Sequence, residues 1–128
     1  MRVLVCGDRN WTDGKLIEKT ILDVHLNDRD HNGQSGITHI ISGEARGADT
    51  LAKTIAHKNH FKFLGFPALW NQYGKAAGPI RNQQMLDEGE PDFALAFHDD
   101  LEHSKGTKDM LERINKAGLP YRVITHRS

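Results

Sequence analysis

An apolar run that gives way to a helical pattern within a few residues is the feature that most constrains the fold of this chain. Ile40 and Ile41 run into the Ser42-Gly43 step, and a helical pattern begins near Ala48. A parallel strand passes into its following helix in this way, and the backbone N–H groups at the start of such a helix can hold a phosphate. The segment therefore predicts an α/β fold with an anion-binding loop.

Short apolar runs alternate with amphipathic segments and turn signals, a pattern typical of a parallel sheet covered by helices. Helical spacing predicts helices near residues 16–24 and over residues 48–58, a third with Pro79 in its first turn, and a fourth that Gly118 ends. We expect a Rossmann-like three-layer α/β/α sandwich with a mainly parallel five-stranded sheet. The strands are predicted at residues 2–6, 37–41, 61–66, 92–97 and 121–124.

Length and charge narrow the classes of function. With 128 residues, the chain predicts a single domain, residues 1–128, with one core. Seventeen Lys and Arg residues balance seventeen Asp and Glu residues, so the formal net charge is zero and no overall positive field attracts DNA or RNA. A nucleic-acid partner is therefore not expected.

The apolar runs fall short of a membrane span, which needs roughly 20 apolar residues. The first residues lead directly into a predicted strand rather than into a signal peptide. Cys6, the single cysteine, lies in that strand, where a buried and unreactive thiol is favoured over a nucleophile. We expect a soluble, cytoplasmic protein with no membrane partner.

Sheets of this kind bind ligands beyond the carboxyl ends of their strands. In the loop after the first strand, Gly7 lets the backbone approach a ligand and Arg9 can pair with a phosphate. Trp11 offers a flat face for a base or a ribose. The alternative stays open that Arg9 is a solvated charge and Trp11 a hydrophobic plug. The segments expected to meet at this edge are residues 7–11, 42–49, 67–82 and 98–107.

The second of these segments is the more specific. Ser42 and Gly43 permit a compact turn, and Gly47 removes a side chain at the mouth of the helix. Arg46 adds a positive charge where the helix dipole already favours an anion. Asp49 either caps the helix, which is the simpler interpretation, or accepts hydrogen bonds from ribose hydroxyls.

The third segment contains Arg81 and Asn82 next to glycines and a proline. Arg81, expected in the first turn of its helix, is predicted to reach the same anion, and Asn82 to bind a hydroxyl or a base edge. Trp70 and Tyr73 either stack on a planar ligand or pack the connection onto the sheet, and packing is favoured.

The fourth segment ends in Lys105, Gly106 and Thr107, where the Gly-Thr step is similar to a phosphate-binding turn and Lys105 adds charge. Two histidines and several carboxylates precede this step. Their spacing matches no recognised zinc or calcium motif, so a solvated acidic loop is favoured over a metal site. We expect neither a metal nor a cofactor.

Four motifs occur in order and together span almost the whole chain. They are Gly7-x-Arg9-x-Trp11, Ser42-Gly43-x-Ala45-x-Gly47-Ala48-Asp49, Trp70-x-x-Tyr73-Gly74-x-x-Ala77-Gly78-Pro79-x-Arg81-Asn82-x-x-Met85 and Gly106-Thr107-x-Asp109-Met110. This set resembles the YspA-like, cpYpsA-related branch of the SLOG superfamily, which also contains DNA-processing protein A and the Lonely Guy phosphoribohydrolases. The resemblance implies a Rossmann-like domain that binds a nucleotide or a nucleotide-derived molecule, often as a homo-oligomer.

One departure bears on catalysis. Lonely Guy enzymes carry a Pro-Gly-Gly-x-Gly-Thr-x-x-Glu motif whose glutamate, with an arginine on the preceding helix, promotes cleavage of an N-glycosidic bond. Met110 stands at the glutamate position here and cannot ionise. Asp109 lies about 100° around the helix and substitutes only if the local backbone differs. The resemblance then implies that Arg81 stabilises phosphate or leaving-group charge and that Asp109 supports the oxocarbenium-like centre or activates water.

Three functions remain open. The preferred one is a module that binds a nucleotide-derived small molecule, to sense or sequester it. The first alternative is an N-glycosidase, or phosphoribohydrolase, that acts on substrates similar to nucleoside monophosphates. The second alternative is a factor that processes single-stranded DNA, which the zero net charge and the lack of a long basic stripe disfavour.

Overall fold

The computed structural model describes residues 1–30 and 32–126, and within them five strands form one parallel sheet. Across the sheet the order is β3-β2-β1-β4-β5. The predicted Rossmann-like α/β fold is confirmed, and the predicted strands are correct to within two residues at each end. The strands are β1 (Arg2–Gly7), β2 (His39–Ser42), β3 (Lys62–Gly65), β4 (Phe93–Phe97) and β5 (Tyr121–Ile124).

Helices cover both faces of this sheet. They are α1 (Gly14–Asn27), α2 (Ala48–Lys58), α3 (Trp70–Tyr73), α4 (Ala77–Asp87) and α5 (Gly106–Lys116), with 3-10 turns at Gly74–Ala76 and Leu101–His103. Val3 and Val5 pack towards α1 and α2, whereas Leu4 and Cys6 pack towards α4 and α5. Because successive side chains of a strand point to opposite faces, a strand buried on both faces needs a continuous apolar run.

The connection before α4 differs from the prediction. Residues 67–76 include a short helix and a 3-10 turn, and α4 begins at Ala77, two residues before Pro79. Arg81 is therefore the fifth helical residue and lies in the second turn rather than the first. Gly74 has a φ of +57°, which is outside the helical range, so α3 ends before Gly74 and a separate 3-10 turn begins there.

The ends of the helices follow local rules. Asp13 caps α1, because its Oδ1 accepts a hydrogen bond from the Leu16 N–H at 3.1 Å. Gly118, with a φ of +74°, follows the end of α5, as predicted. In the part of the chain that the structure describes, no helix has the length and apolar character needed to cross a membrane.

Candidate ligand-binding site

A cleft of about 590 Å³ opens at the carboxyl edge of the sheet. It lies at the point where the strand order reverses. From β1 the chain passes to β2 and β3 on one side of the sheet, and it then crosses to β4 on the other side of β1. Open α/β sheets bind ligands at this switch point, and the volume falls in the range of small-molecule sites. Cys6, near the end of β1, lines the cleft; its side chain is buried, as predicted, and burial raises the pKa of its thiol.

The cleft brings together most of the side chains that the sequence predicts for ligand binding. These come from all four predicted segments, which are distant along the chain. Their contact with a ligand stays a prediction. The predicted residues that line the cleft are Gly7, Arg9, Arg46, Asp49, Arg81, Asn82, Lys105, Gly106 and Thr107, and Asp109 lines it as well.

Trp11 does not line this cleft, which corrects the prediction that it offers a face to a ligand. Its side chain is 5% exposed, its Nε1 donates to the Asp13 carbonyl oxygen at 3.0 Å, and its ring meets Phe97 edge-on with 5.8 Å between ring centroids. The alternative of a hydrophobic plug is the correct one, because the ring fills the space beneath the loop after β1.

Three further predicted ligand-binding residues do not line the cleft. They are Ser42, Gly43 and Gly47. The Ser42 hydroxyl is buried and donates to the Val5 carbonyl oxygen at 2.9 Å, which joins β2 to β1. Gly47 has a φ of +77°, and a Cβ at this position would overlap backbone oxygens of the loop after β1. The missing side chain at Gly47 therefore makes room for the protein's own backbone rather than for a ligand.

Asp49 does not cap α2, which corrects the simpler of its two predicted roles. The N-cap is Gly47, and Asp49 is the second helical residue. Its Oδ2 accepts a hydrogen bond from the Ala45 N–H at 3.1 Å, which closes the loop that carries Arg46. Burial raises the pKa of the Asp49 carboxyl, against the opposing effects of the Ala45 hydrogen bond and the Arg81 charge.

Arg81 and Asn82 begin a hydrogen-bonded chain along one wall. Arg81 Nη1 donates to the carbonyl oxygens of Gly43, at 2.5 Å, and Phe66, at 3.3 Å. Arg81 Nε donates to Asn82 Oδ1 at 3.1 Å, and Asn82 Nδ2 donates to Asp109 Oδ2 at 2.9 Å. The guanidinium lines the cleft, yet much of its hydrogen-bonding capacity fixes the ends of β2 and β3.

Asp109 lines the cleft although it lies one residue before Met110, which stands at the glutamate position of the related motif. Its Oδ2 also accepts from Arg113 Nε at 2.8 Å. Burial opposes ionisation of this carboxyl, but the hydrogen bonds from Arg113 and Asn82 outweigh it and lower the pKa of Asp109. Met110 lines the same wall and is 1% exposed. The cleft therefore contains an ionised carboxylate at neutral pH.

Among the residues that line the cleft, Lys75 was missed and Trp70 was discounted from the sequence. Lys75, in the 3-10 turn before α4, lines the cleft and is exposed. Trp70, for which packing was favoured, lines the rim and is 49% exposed, so packing onto the sheet is wrong for this residue. The only signal for either was a glycine-rich connection between β3 and α4 with two aromatic residues and a lysine.

The acidic loop after β4 contributes His98, Ser104 and Lys105 to the cleft. His98 is 9% exposed, and its Nδ1 accepts a hydrogen bond from the Asp100 N–H at 3.0 Å. Within residues 1–30 and 32–126, no three His, Cys, Asp or Glu side chains are placed to hold a metal ion.

Comparisons with known proteins agree with this architecture. A family model described as YAcAr, the YspA, cpYpsA-related SLOG family, matches residues 1–73. The Gene 61 protein of Mycobacterium phage D29 is 36% identical over 124 residues, which cover 93% of this chain and 92% of that protein.

A solved structure shares the fold. DNA processing protein A (DprA) from Streptococcus pneumoniae superposes with a TM-score of 0.69 over 95% of this chain and is 20% identical. The match covers 49% of the DprA chain, so this chain spans about half of that protein's length. At this level of identity the likeness shows the fold alone.

Proposed function

The chain belongs to the YspA, cpYpsA-related SLOG family, and on that basis we propose that it binds a nucleotide-derived small molecule as a sensor or sequestering module. The observation that carries the proposal is the cleft itself. It lies at the switch point of a Rossmann-like sheet and gathers positive charge, hydrogen-bonding groups and an aromatic ring.

The distribution of charge around the cleft supports an anionic ligand despite the zero net charge. Arg9, Arg46, Lys75 and Lys105 line it and are all exposed. The carboxylates of the wall are held by internal donors, as the Asp109 contacts with Asn82 and Arg113 illustrate. The helices α2 and α5 both begin at the cleft, and the positive ends of their dipoles favour an anion there.

Ligand-induced thermal stabilisation tests the proposal. We expect AMP, GMP, CMP, UMP or ADP-ribose to raise the melting temperature, because a ligand at 100 times its Kd adds about 2.7 kcal/mol to the stability of the folded state. Adenosine, which lacks the phosphate, should have a much smaller effect. If none of these nucleotides stabilises the protein, the proposal fails.

A double variant identifies the site. Arg46→Ala with Lys105→Ala should abolish the stabilisation without lowering the melting temperature of the unliganded protein, since both side chains are exposed. Lys19→Ala on α1 is the matched control, because it removes an exposed cation outside the cleft. Equal loss of binding in the control would place the ligand elsewhere.

Asp109 favours a second candidate function, the hydrolysis of an N-glycosidic bond. An ionised carboxylate beside the anomeric carbon would stabilise the oxocarbenium-like transition state while water attacks that carbon and the base leaves with a proton. Chromatographic detection of free adenine from AMP, and its loss in Asp109→Asn, would establish turnover. Binding of AMP without release of adenine would leave the sensor as the function.

We also propose that the protein acts as a homo-oligomer through the apolar face of α3 and α4. Leu69, Tyr73 and Ile80 on this face are 50%, 42% and 42% exposed, and a groove runs between them. Two copies that pack this face against each other would remove these apolar side chains from water.

A nucleic-acid role has weaker support. The structural neighbour carries DNA processing in its name, but at 20% identity it bears on the fold only. The zero net charge gives little attraction for a phosphate backbone. An affinity for single-stranded oligonucleotides that falls steeply as salt rises would revive this candidate.

A further inference from the structure

Trp70 is the aromatic side chain at the rim of the cleft. It is the first residue of α3 and is 49% exposed, whereas Trp11, the other tryptophan, is 5% exposed. A half-exposed indole at the mouth of a polar cleft leaves a large apolar surface in water, where it adds little to the core. Its position is therefore better explained by something that covers it.

Neighbouring groups position the indole. A Cβ added at Gly78 would lie 3.4 Å from Trp70 Cη2, so the ring rests against α4 where the helix has no side chain. The Arg9 guanidinium carbon lies 5.8 Å from the centroid of the ring. Arg9 comes from the loop after β1, so the pair joins two segments that are distant along the chain, and both side chains line the cleft.

We propose that Trp70 and Arg9 form a stacking platform for the flat ring of the ligand. An indole presents a π face, and a guanidinium is planar and stacks on aromatic rings, so both suit a purine or a pyrimidine. The ligand class is then a nucleotide that retains its base, rather than a sugar phosphate. The inference rests on the proposed function and specifies which part of the ligand the rim of the cleft contacts.

The rest of the cleft agrees with this orientation. Arg46 and Lys105 line it and supply charge for the phosphate at the starts of α2 and α5. Asp109 lines the wall and presents a carboxylate, a group of the kind that accepts hydrogen bonds from ribose hydroxyls. Base, ribose and phosphate would each meet a group of matching chemistry.

Calorimetric titration of AMP, GMP, CMP, UMP and ribose 5-phosphate into wild type, Trp70→Ala and Trp70→Phe tests the platform. Stacking on an aromatic side chain contributes enough that Trp70→Ala should weaken nucleotide binding roughly tenfold or more. Trp70→Phe should retain most of the affinity, and ribose 5-phosphate should bind wild type and Trp70→Ala equally. Tyr121→Ala, which removes an exposed aromatic ring from β5 outside the cleft, is the control and should leave all affinities unchanged.

Intrinsic fluorescence gives an independent readout. Nucleotides should quench tryptophan emission in wild type and should not in Trp70→Phe, because the remaining Trp11 is buried away from the cleft. If nucleotides bind but Trp70→Ala leaves their affinity unchanged, or if ribose 5-phosphate binds as tightly as AMP, the platform is overturned and the binding function stands. If no nucleotide binds wild type, both fail.

Discussion

Arg81 joins three segments that are distant along the chain. Through Nη1 it donates to the carbonyl oxygens of Gly43 after β2 and Phe66 after β3, and through Nε to Asn82 on its own helix. Burial lowers the pKa of its guanidinium, while the nearby Asp49 carboxylate opposes that effect. A lysine would keep the positive charge but could not reproduce the planar fork of donors.

We therefore expect Arg81→Lys to destabilise the protein by about 1–3 kcal/mol, because it leaves partly buried carbonyl oxygens without their donor. Urea unfolding followed by circular dichroism measures this loss. Arg46→Lys, on an exposed side chain of the same cleft, should unfold at the wild-type urea concentration. Equal midpoints for Arg81→Lys and wild type would show that the hydrogen bonds of Arg81 contribute nothing.

Gly47 is a second residue whose replacement should destabilise the protein beside the cleft. Its φ is +77°, and a Cβ would overlap the carbonyl oxygens of Asp8 and Arg9. Gly47→Ala should therefore cost about 1–3 kcal/mol in thermal or chemical unfolding. Gly106→Ala is the contrasting variant, since a Cβ there meets nothing within 4 Å and alanine favours the helix. Equal costs at both glycines would contradict this explanation.

At the scale of elements, His126 connects the end of β5 to two other segments. Its Nδ1 lies 2.6 Å from Asp99 Oδ2 and its Nε2 lies 2.9 Å from Asp13 Oδ2, and the ring stacks on Trp11. Hydrogen bonds to Asp99 and then to Asp13 raise the pKa of His126 above its ordinary value. Both ring nitrogens can donate at once only in the protonated imidazole.

The stabilisation from this contact should depend on pH. Because the folded-state pKa of His126 is raised, the contribution is fully present below the unfolded pKa, about 6.5, and is lost as the pH rises through the folded value. We expect the stability advantage of wild type over His126→Gln to be larger near pH 6 than near pH 9, where the neutral ring keeps its stacking on Trp11 but can donate only one hydrogen bond. Thermal unfolding of both proteins across this range is the test, and a difference independent of pH would contradict it.

The elements show which parts of the fold were predictable. The bounds of α2 and β5 were predicted to the residue, since an apolar pattern and clear turn signals mark both. The helix α3 was missed because it buries no residue and so has no apolar stripe to detect. The meeting of the four loops at one edge was predictable, because the carboxyl ends of parallel strands lie at the same edge of a sheet. The hydrogen-bond partners of Arg81 and Asp49 were not predictable, because they depend on loop positions that residue spacing does not determine.

At the scale of the whole molecule, the apolar face of α3 and α4 predicts self-association. Light scattering after size exclusion should give the mass of a dimer for wild type and the mass of one chain for Ile80→Glu, because a buried charge opposes an apolar contact. Leu26→Glu is the control, since Leu26 is 69% exposed on α1 and lies outside this face. A wild-type protein that stays a single chain at all concentrations would overturn the proposal.

Every wall of the cleft comes from the carboxyl edge of the sheet, so the turns at the amino edge carry no part of it. The turn after α1 is such a place: Gly33 is exposed, has a φ of +77° and has open space around it. A fluorescent label or an inserted peptide at that turn would sit at the end of the molecule opposite the cleft. The architecture thus separates a permissive end, suited to immobilisation or tagging, from the end on which recognition depends.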